Sequence, residues 1–202
     1  MFPSYSSRSF TSVTVVLLLL NALFLYLITD LNNLEVEMAE TGFVENLQLV
    51  YLGLAAIAFL IGGLRVEGPA RMFAIGMSVL MWIFFFREFE IEPTGPVSGY
   101  IKSHSFRWHE AIVVIAIAGI YIFRRAQYVR PVIEFVLSRK AWPFYLAAVL
   151  ILTGEVFEKM HGFAYNEFFE EVLESLSYFM LLCLGVRSIF AQPDEAADMR
   201  AA

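Results

Sequence analysis

Six apolar stretches, 11–29, 44–63, 72–86, 109–123, 141–154 and 169–190, take up more than half of the chain, and its charged side chains gather at or near their ends. A helix rises about 1.5 Å per residue and the hydrocarbon of a bilayer is about 30 Å thick, so one crossing takes about 20 mostly apolar residues. Three of the stretches are shorter than that. In each short one the missing length is supplied at an end by residues that carry charge. The chain is 59% hydrophobic and 17% charged, whereas a soluble domain averages about 45–50% and 25%. The apolar surplus needs a solvent other than water. The fold expected is therefore all-α, a polytopic membrane protein built as a bundle of six transmembrane helices with N- and C-termini cytoplasmic.

Short connections, the lack of low-complexity tracts and the lack of internal repeats predict one domain over residues 1–190, followed by a short cytoplasmic tail, 191–202. The one sizeable connection, 87–108, carries Pro93, Gly95, Pro96 and Gly99 and reads as a turn-rich surface loop. The first stretch is longer than a secretory signal core and ends in Leu27-Ile28-Thr29-Asp30 without a small-x-small cleavage site, so it reads as a span.

Charge removes several function classes. A net charge of -6 and the absence of a basic stripe speak against nucleic acid as a partner. The single cysteine, Cys183, sits in an apolar run and supports neither a disulfide scaffold nor a Cys-rich zinc site. With the N-terminus placed inside, ten of the fourteen Lys and Arg fall on the inner side, as the positive-inside rule requires, and fifteen of the twenty Asp and Glu fall outside. This orientation suits an integral protein of a bacterial inner (plasma) membrane.

Some of those acids lie deep. Glu174 is 13 residues from Arg187, about 20 Å along a helix, and Glu155 is 15 from Lys140, about 22 Å; His109 has the same spacing from Arg124. Glu158, Glu171 and Glu88 come out shallower, and Glu45 reaches the surface with Asn46 and Gln48 just below it. Glu155 and Glu158 are three apart, as are Glu171 and Glu174, so each pair faces one side of its helix. If the last two spans form an antiparallel hairpin, equal offsets from its turn level Glu155 with Glu174 and Glu158 with Glu171. Gly162 would ease that reversal.

A charged acid inside a bilayer costs at least about 2.5 kcal/mol, and clustered like charges add to the cost. Protonation, salt bridges or a bound cation are the three remedies. Arg87 and His109, with Lys159 or His161, are the basic groups near that level, too few for Glu88, Glu110, Glu155, Glu158, Glu171 and Glu174 together. A divalent metal ion (iron, zinc or manganese) is the cofactor expected, held by Glu155, Glu158, Glu171, Glu174 and His109. Such a site is chemically close to carboxylate di-metal sites in four-helix bundles, although those use Glu-x-x-His where this chain has Glu-x-x-Glu twice. His109, Glu88 and Arg87 are the candidate catalytic residues, Glu88 and His109 as proton carriers and Arg87 as a counterion. A metal-free salt-bridge network around Arg87 is the competing arrangement.

Three functions fit this pattern. The first is a metal-dependent membrane hydrolase or oxidoreductase acting on a lipid-like or amphipathic substrate from the outer side. The second is a cation or proton transporter using the same carboxylates, against which stand the almost purely apolar inner halves of the spans. The third is a non-catalytic assembly subunit. Expected partners are membrane lipids and a second copy of the chain or a membrane partner protein.

Overall fold

The structure, a computed structural model, describes residues 2, 5, 8–28, 42–89, 95–101, 103–160 and 165–190. The loop acids Asp30, Glu35, Glu37, Glu40, Glu90 and Glu92, the side chains of His104 and Glu110, residues His161 and Gly162, and the tail 191–202 lie outside that description. Among the described residues the chain is helical and contains no strand. In order come α1 (Arg8–Ile28), α2 (Phe43–Arg65), α3 (Gly68–Glu88), α4 (Pro96–Ile101), α5 (His104–Phe123), α6 (Val129–Val136), α7 (Trp142–Glu158) and α8 (Asn166–Ile189).

Among the described residues, five helical segments are long and apolar enough to cross a membrane: Ser9–Ile28, Phe43–Arg65, Gly68–Glu88, Arg139–Glu158 and Asn166–Ile189. The pair Ala111–Phe123 and Ala126–Val136, bent by 82°, makes a sixth when counted as one span. The all-α polytopic bundle expected from the sequence is therefore the architecture observed. The span ends extend outward as the arithmetic required, with Arg87 and Glu88 in the last turn of α3, and Glu155 and Glu158 in the last turn of α7.

Two parts of the chain differ from expectation. The connection 87–108 is less of a loop than its Pro and Gly content implied. Pro96–Ile101 is a short helix, and Ser103 caps α5 by accepting a hydrogen bond from the Phe106 amide at 3.2 Å. The second difference is α6, which the apolar pattern alone could not separate from a loop because it is only two turns long. Arg124 and Arg125 stand at the bend between α5 and α6. Adjacent arginines are costly in hydrocarbon, so they mark the point where the apolar character of this pair is broken.

Local chemistry explains how the helices turn. Between α2 and α3 the chain passes through extended Val66 and Glu67 to Gly68, whose φ of 63° is accessible to glycine without a Cβ penalty, and Pro then enters the first turn of α3. Helix α8 packs between α2 and α7 and also meets α1, while α2 packs on α3. The core lies at these contacts, with Tyr51, Leu52, Ala55 and Phe59 of α2 buried beside Tyr178, Leu181 and Leu184 of α8. A Cβ on Gly62 would stand 2.9 Å from the backbone carbon of Ser188, so this glycine is what lets α2 and α8 approach. Asn21 accepts a hydrogen bond from the Tyr51 hydroxyl at 2.6 Å, tying α1 to α2 inside the apolar zone. Helix α5, by contrast, buries none of its described side chains; Ile115, Ile117 and Phe123 are 70%, 64% and 84% exposed.

The two ends of the bundle have opposite character. At one, Arg65 donates to the Ile189 carbonyl at 3.2 Å and the Arg187 guanidinium lies 5.8 Å from the Phe10 ring centre. Phe2 stacks on Phe135 at 4.1 Å and Tyr5 meets Phe144 edge-on at 5.0 Å. The start of α1 and the end of α8 therefore share this basic end. The carboxylates of α3, α7 and α8 occupy the other.

Candidate functional site

Arg87, in the last turn of α3, is the centre of the acidic end. Its Nε and Nη2 both grip one oxygen of the neighbouring Glu88, at 2.8 and 2.7 Å. The same guanidinium reaches Glu155 of α7 at 3.4 Å and Glu174 of α8 at 3.5 Å. Nη2 also donates to the Tyr178 hydroxyl at 3.5 Å, and that hydroxyl donates to Glu88 at 3.1 Å. Three helices are thus joined through one cation, and the Phe84 ring lies 5.9 Å beneath it. Short contacts to Glu88 and longer ones to Glu155 and Glu174 make a firm pair with two more loosely held acids.

The acids differ in environment. The Glu174 side chain is 8% exposed and Glu88 17%, whereas Glu155 is 34% exposed and also meets Lys159 at 3.4 Å. Lys159 is 74% exposed, and water screens most of its effect. Glu174 owes its buried place to Gly154: a Cβ there would come within 3.2 Å of the Glu174 Cγ and 3.3 Å of the Glu170 carbonyl oxygen. A small residue on α7 thereby lets α8 bring a carboxylate to the edge of the hydrocarbon beside Arg87.

The hairpin symmetry in the sequence is half realised. Glu155 and Glu174 do converge, both on Arg87. Glu158 and Glu171 do not. Glu158 is exposed, and Glu171 turns toward α2, where the buried Gln48 side chain donates to its carboxylate at 2.7 Å and to its backbone carbonyl at 3.1 Å. Equal distance from a turn fixes depth, but the direction of each side chain is set by which helix packs beside it, and α8 has α2 on one flank and α7 on the other. His109 is also remote from this set: it is exposed on α5, with its Nδ1 2.7 Å from the Tyr100 hydroxyl.

The residues grouped in the sequence as metal ligands are accordingly divided among four places: Glu155 and Glu174 at Arg87, Glu158 in solvent, Glu171 at Gln48 and His109 at Tyr100. Among the described residues, no group of three or more His, Cys, Asp and Glu side chains is placed to hold a metal ion. The position between Glu88, Glu155 and Glu174 is taken by a guanidinium. Arg87 and Glu88, expected as catalytic residues, are both in the cluster. Tyr178 and the Gln48 to Glu171 bond are contacts that acid spacing and depth do not point to. The spacing of Tyr178, four residues after Glu174 and so on the same helix face, is the signal that points to it. Comparison with protein-family models, curated proteins and solved structures finds no match to this chain.

Proposed function

We propose that the chain is a membrane enzyme whose acidic end performs acid–base chemistry on a lipid-like or amphipathic substrate entering from the outer leaflet. The observation that supports this is a wet carboxylate, Glu155, and a dry one, Glu174, held by the same guanidinium. Two acids in unlike surroundings beside one fixed cation are the arrangement that divides proton donor from proton acceptor. The site lies at the end of three spans, within reach of a headgroup. Three acids against the half-exposed Arg87 and the solvated Lys159 leave a negative surplus, which a proton or a cationic substrate group offsets. Glu174 and Glu155 carry protons in this reading, Arg87 with Glu88 holds their geometry, and Tyr178 orients Glu88. The positive-inside distribution of Lys and Arg assigns the basic end, and with it both termini, to the cytoplasm; a bacterial plasma membrane suits that orientation.

A transporter needs a way out on the inner side. The buried side chains of α8 beyond Tyr178 are Met180, Leu181, Leu184 and Ser188, which give a cation little to bind. The test is a comparison of extracted lipids and amphipathic metabolites from membranes holding the wild type, Glu174→Gln or no protein. A compound changed by the wild type and left unchanged by Glu174→Gln supports the enzyme. Identical profiles in all three, with cation flux in liposomes, would replace it with transport. Stoichiometric iron, zinc or manganese in the purified protein, lost in the Glu155→Gln/Glu174→Gln variant, would move the chemistry to a metal-dependent form.

A further inference from the structure

We infer that the basic end of the bundle binds the headgroup of an anionic phospholipid in a groove between α6 and the start of α7. The groove is open, about 420 Å³ in volume, and is lined by Leu137, Ser138, Arg139, Trp142 and Tyr145. Its walls are fixed by hydrogen bonds to backbone. Tyr145 donates its hydroxyl to the Val136 carbonyl, and Ser138 donates to the Phe135 carbonyl at 2.7 Å while accepting from the Lys140 amide at 3.2 Å. Phe135, clamped among Phe2, Phe73 and Phe144, anchors α6 to the bundle from below. With both hydroxyls engaged, Arg139 is the charged group in the groove left to meet a ligand, with the Trp142 indole N–H beside it as a neutral donor.

Charge and depth together select the occupant. Arg139 opens the span Arg139–Glu158, so the groove sits where headgroups meet hydrocarbon. Trp142 and Tyr145 are the aromatic types that settle at that level. Arg139 and Lys140 are exposed, and among the described residues no carboxylate forms an ion pair with them; Glu134, on the adjoining helix, is paired with Arg130 at 2.8 Å. Leu137 and Ile133 are exposed apolar side chains on the same segment. A ligand that meets exposed leucine and arginine at one membrane level is amphipathic and anionic. A basic amphipathic segment next to a span is the usual form of such a site.

Full-length protein in nanodiscs tests this through Trp142, made the sole tryptophan by Trp82→Phe and Trp108→Phe. Brominated phosphatidylglycerol should quench Trp142 at lower mole fraction than brominated phosphatidylcholine. The preference should weaken about fivefold for each basic residue removed in Arg139→Gln and Lys140→Gln, and Arg139→Lys should keep it. Added inorganic phosphate should leave the quenching unchanged. Equal quenching by the two lipids, a preference that survives the double glutamine variant in protein with unaltered melting, or displacement by free phosphate would each overturn the assignment.

Discussion

Arg87 on α3 and Glu174 on α8 face each other at 3.5 Å across the acidic end of the bundle, with the carboxylate buried and the guanidinium half exposed. Neither residue is in the same helix as Glu155, which the same guanidinium also reaches. One side chain therefore links three spans at this end, and the chemistry proposed for the site depends on that side chain.

The neighbouring contact between Gln48 and Glu171 predicts an asymmetric response. Gln48→Leu removes the donor and leaves a carboxylate at a helix interface without it, a loss of about 1–3 kcal/mol. Glu171→Gln keeps an amide oxygen for the same bond and should cost less. Thermal unfolding of both variants in one detergent checks the order, and a larger loss for Glu171→Gln would contradict it.

The close approach of α2 and α8 gives a steric prediction. In Gly62→Val the new side chain meets Ser188 at its backbone, and the helices must separate. Overpacking of this kind costs about 1–3 kcal/mol. Gly76, beside which a Cβ would find nothing within 4 Å, should accept alanine without such a loss. Melting temperatures of Gly62→Val and Gly76→Ala measured side by side test the contrast.

Tyr51→Phe removes the hydroxyl that Asn21 accepts from α2. Interhelical hydrogen bonds in membranes average about 0.6 kcal/mol, so the loss should be small. A much larger drop would mean that the tie between α1 and α2 matters more to the bundle than the core beneath it.

How far the sequence could be read follows from which quantities repeat along it. Apolar length against charged ends locates the spans, because helix rise and bilayer thickness are both fixed. Depth is legible for the same reason, and the pairing of Glu155 with Glu174 at one level follows from it. The direction of a side chain around its helix is not fixed by either quantity. Glu171 therefore turns to Gln48, Glu158 to solvent and His109 to Tyr100, although all three were placed with the cluster by depth or acid count. Tyr178 is harder to read for another reason: its spacing puts it on the face of Glu174, but in a chain rich in aromatics that spacing does not by itself separate a hydrogen-bonding tyrosine from a packing one. The helix α6 was hidden by its length, since eight residues, amphipathic though they are, fall well short of a span and leave two turns on which to tell a helix from a loop.

The central claim is that Arg87 is the cation among Glu88, Glu155 and Glu174. Equilibrium or thermal unfolding of Arg87→Gln, Glu174→Gln and the double variant in a single detergent tests it most directly. Removing Arg87 alone strands buried negative charge; the 3–5 kcal/mol typical of a broken buried pair falls to about 1–2 kcal/mol for a guanidinium that is half exposed. The double variant should then be more stable than Arg87→Gln, because the most buried of the three stranded carboxylates has gone as well, while Glu88 and Glu155 remain. Losses that simply add, leaving the double variant the least stable of the three, would contradict the account.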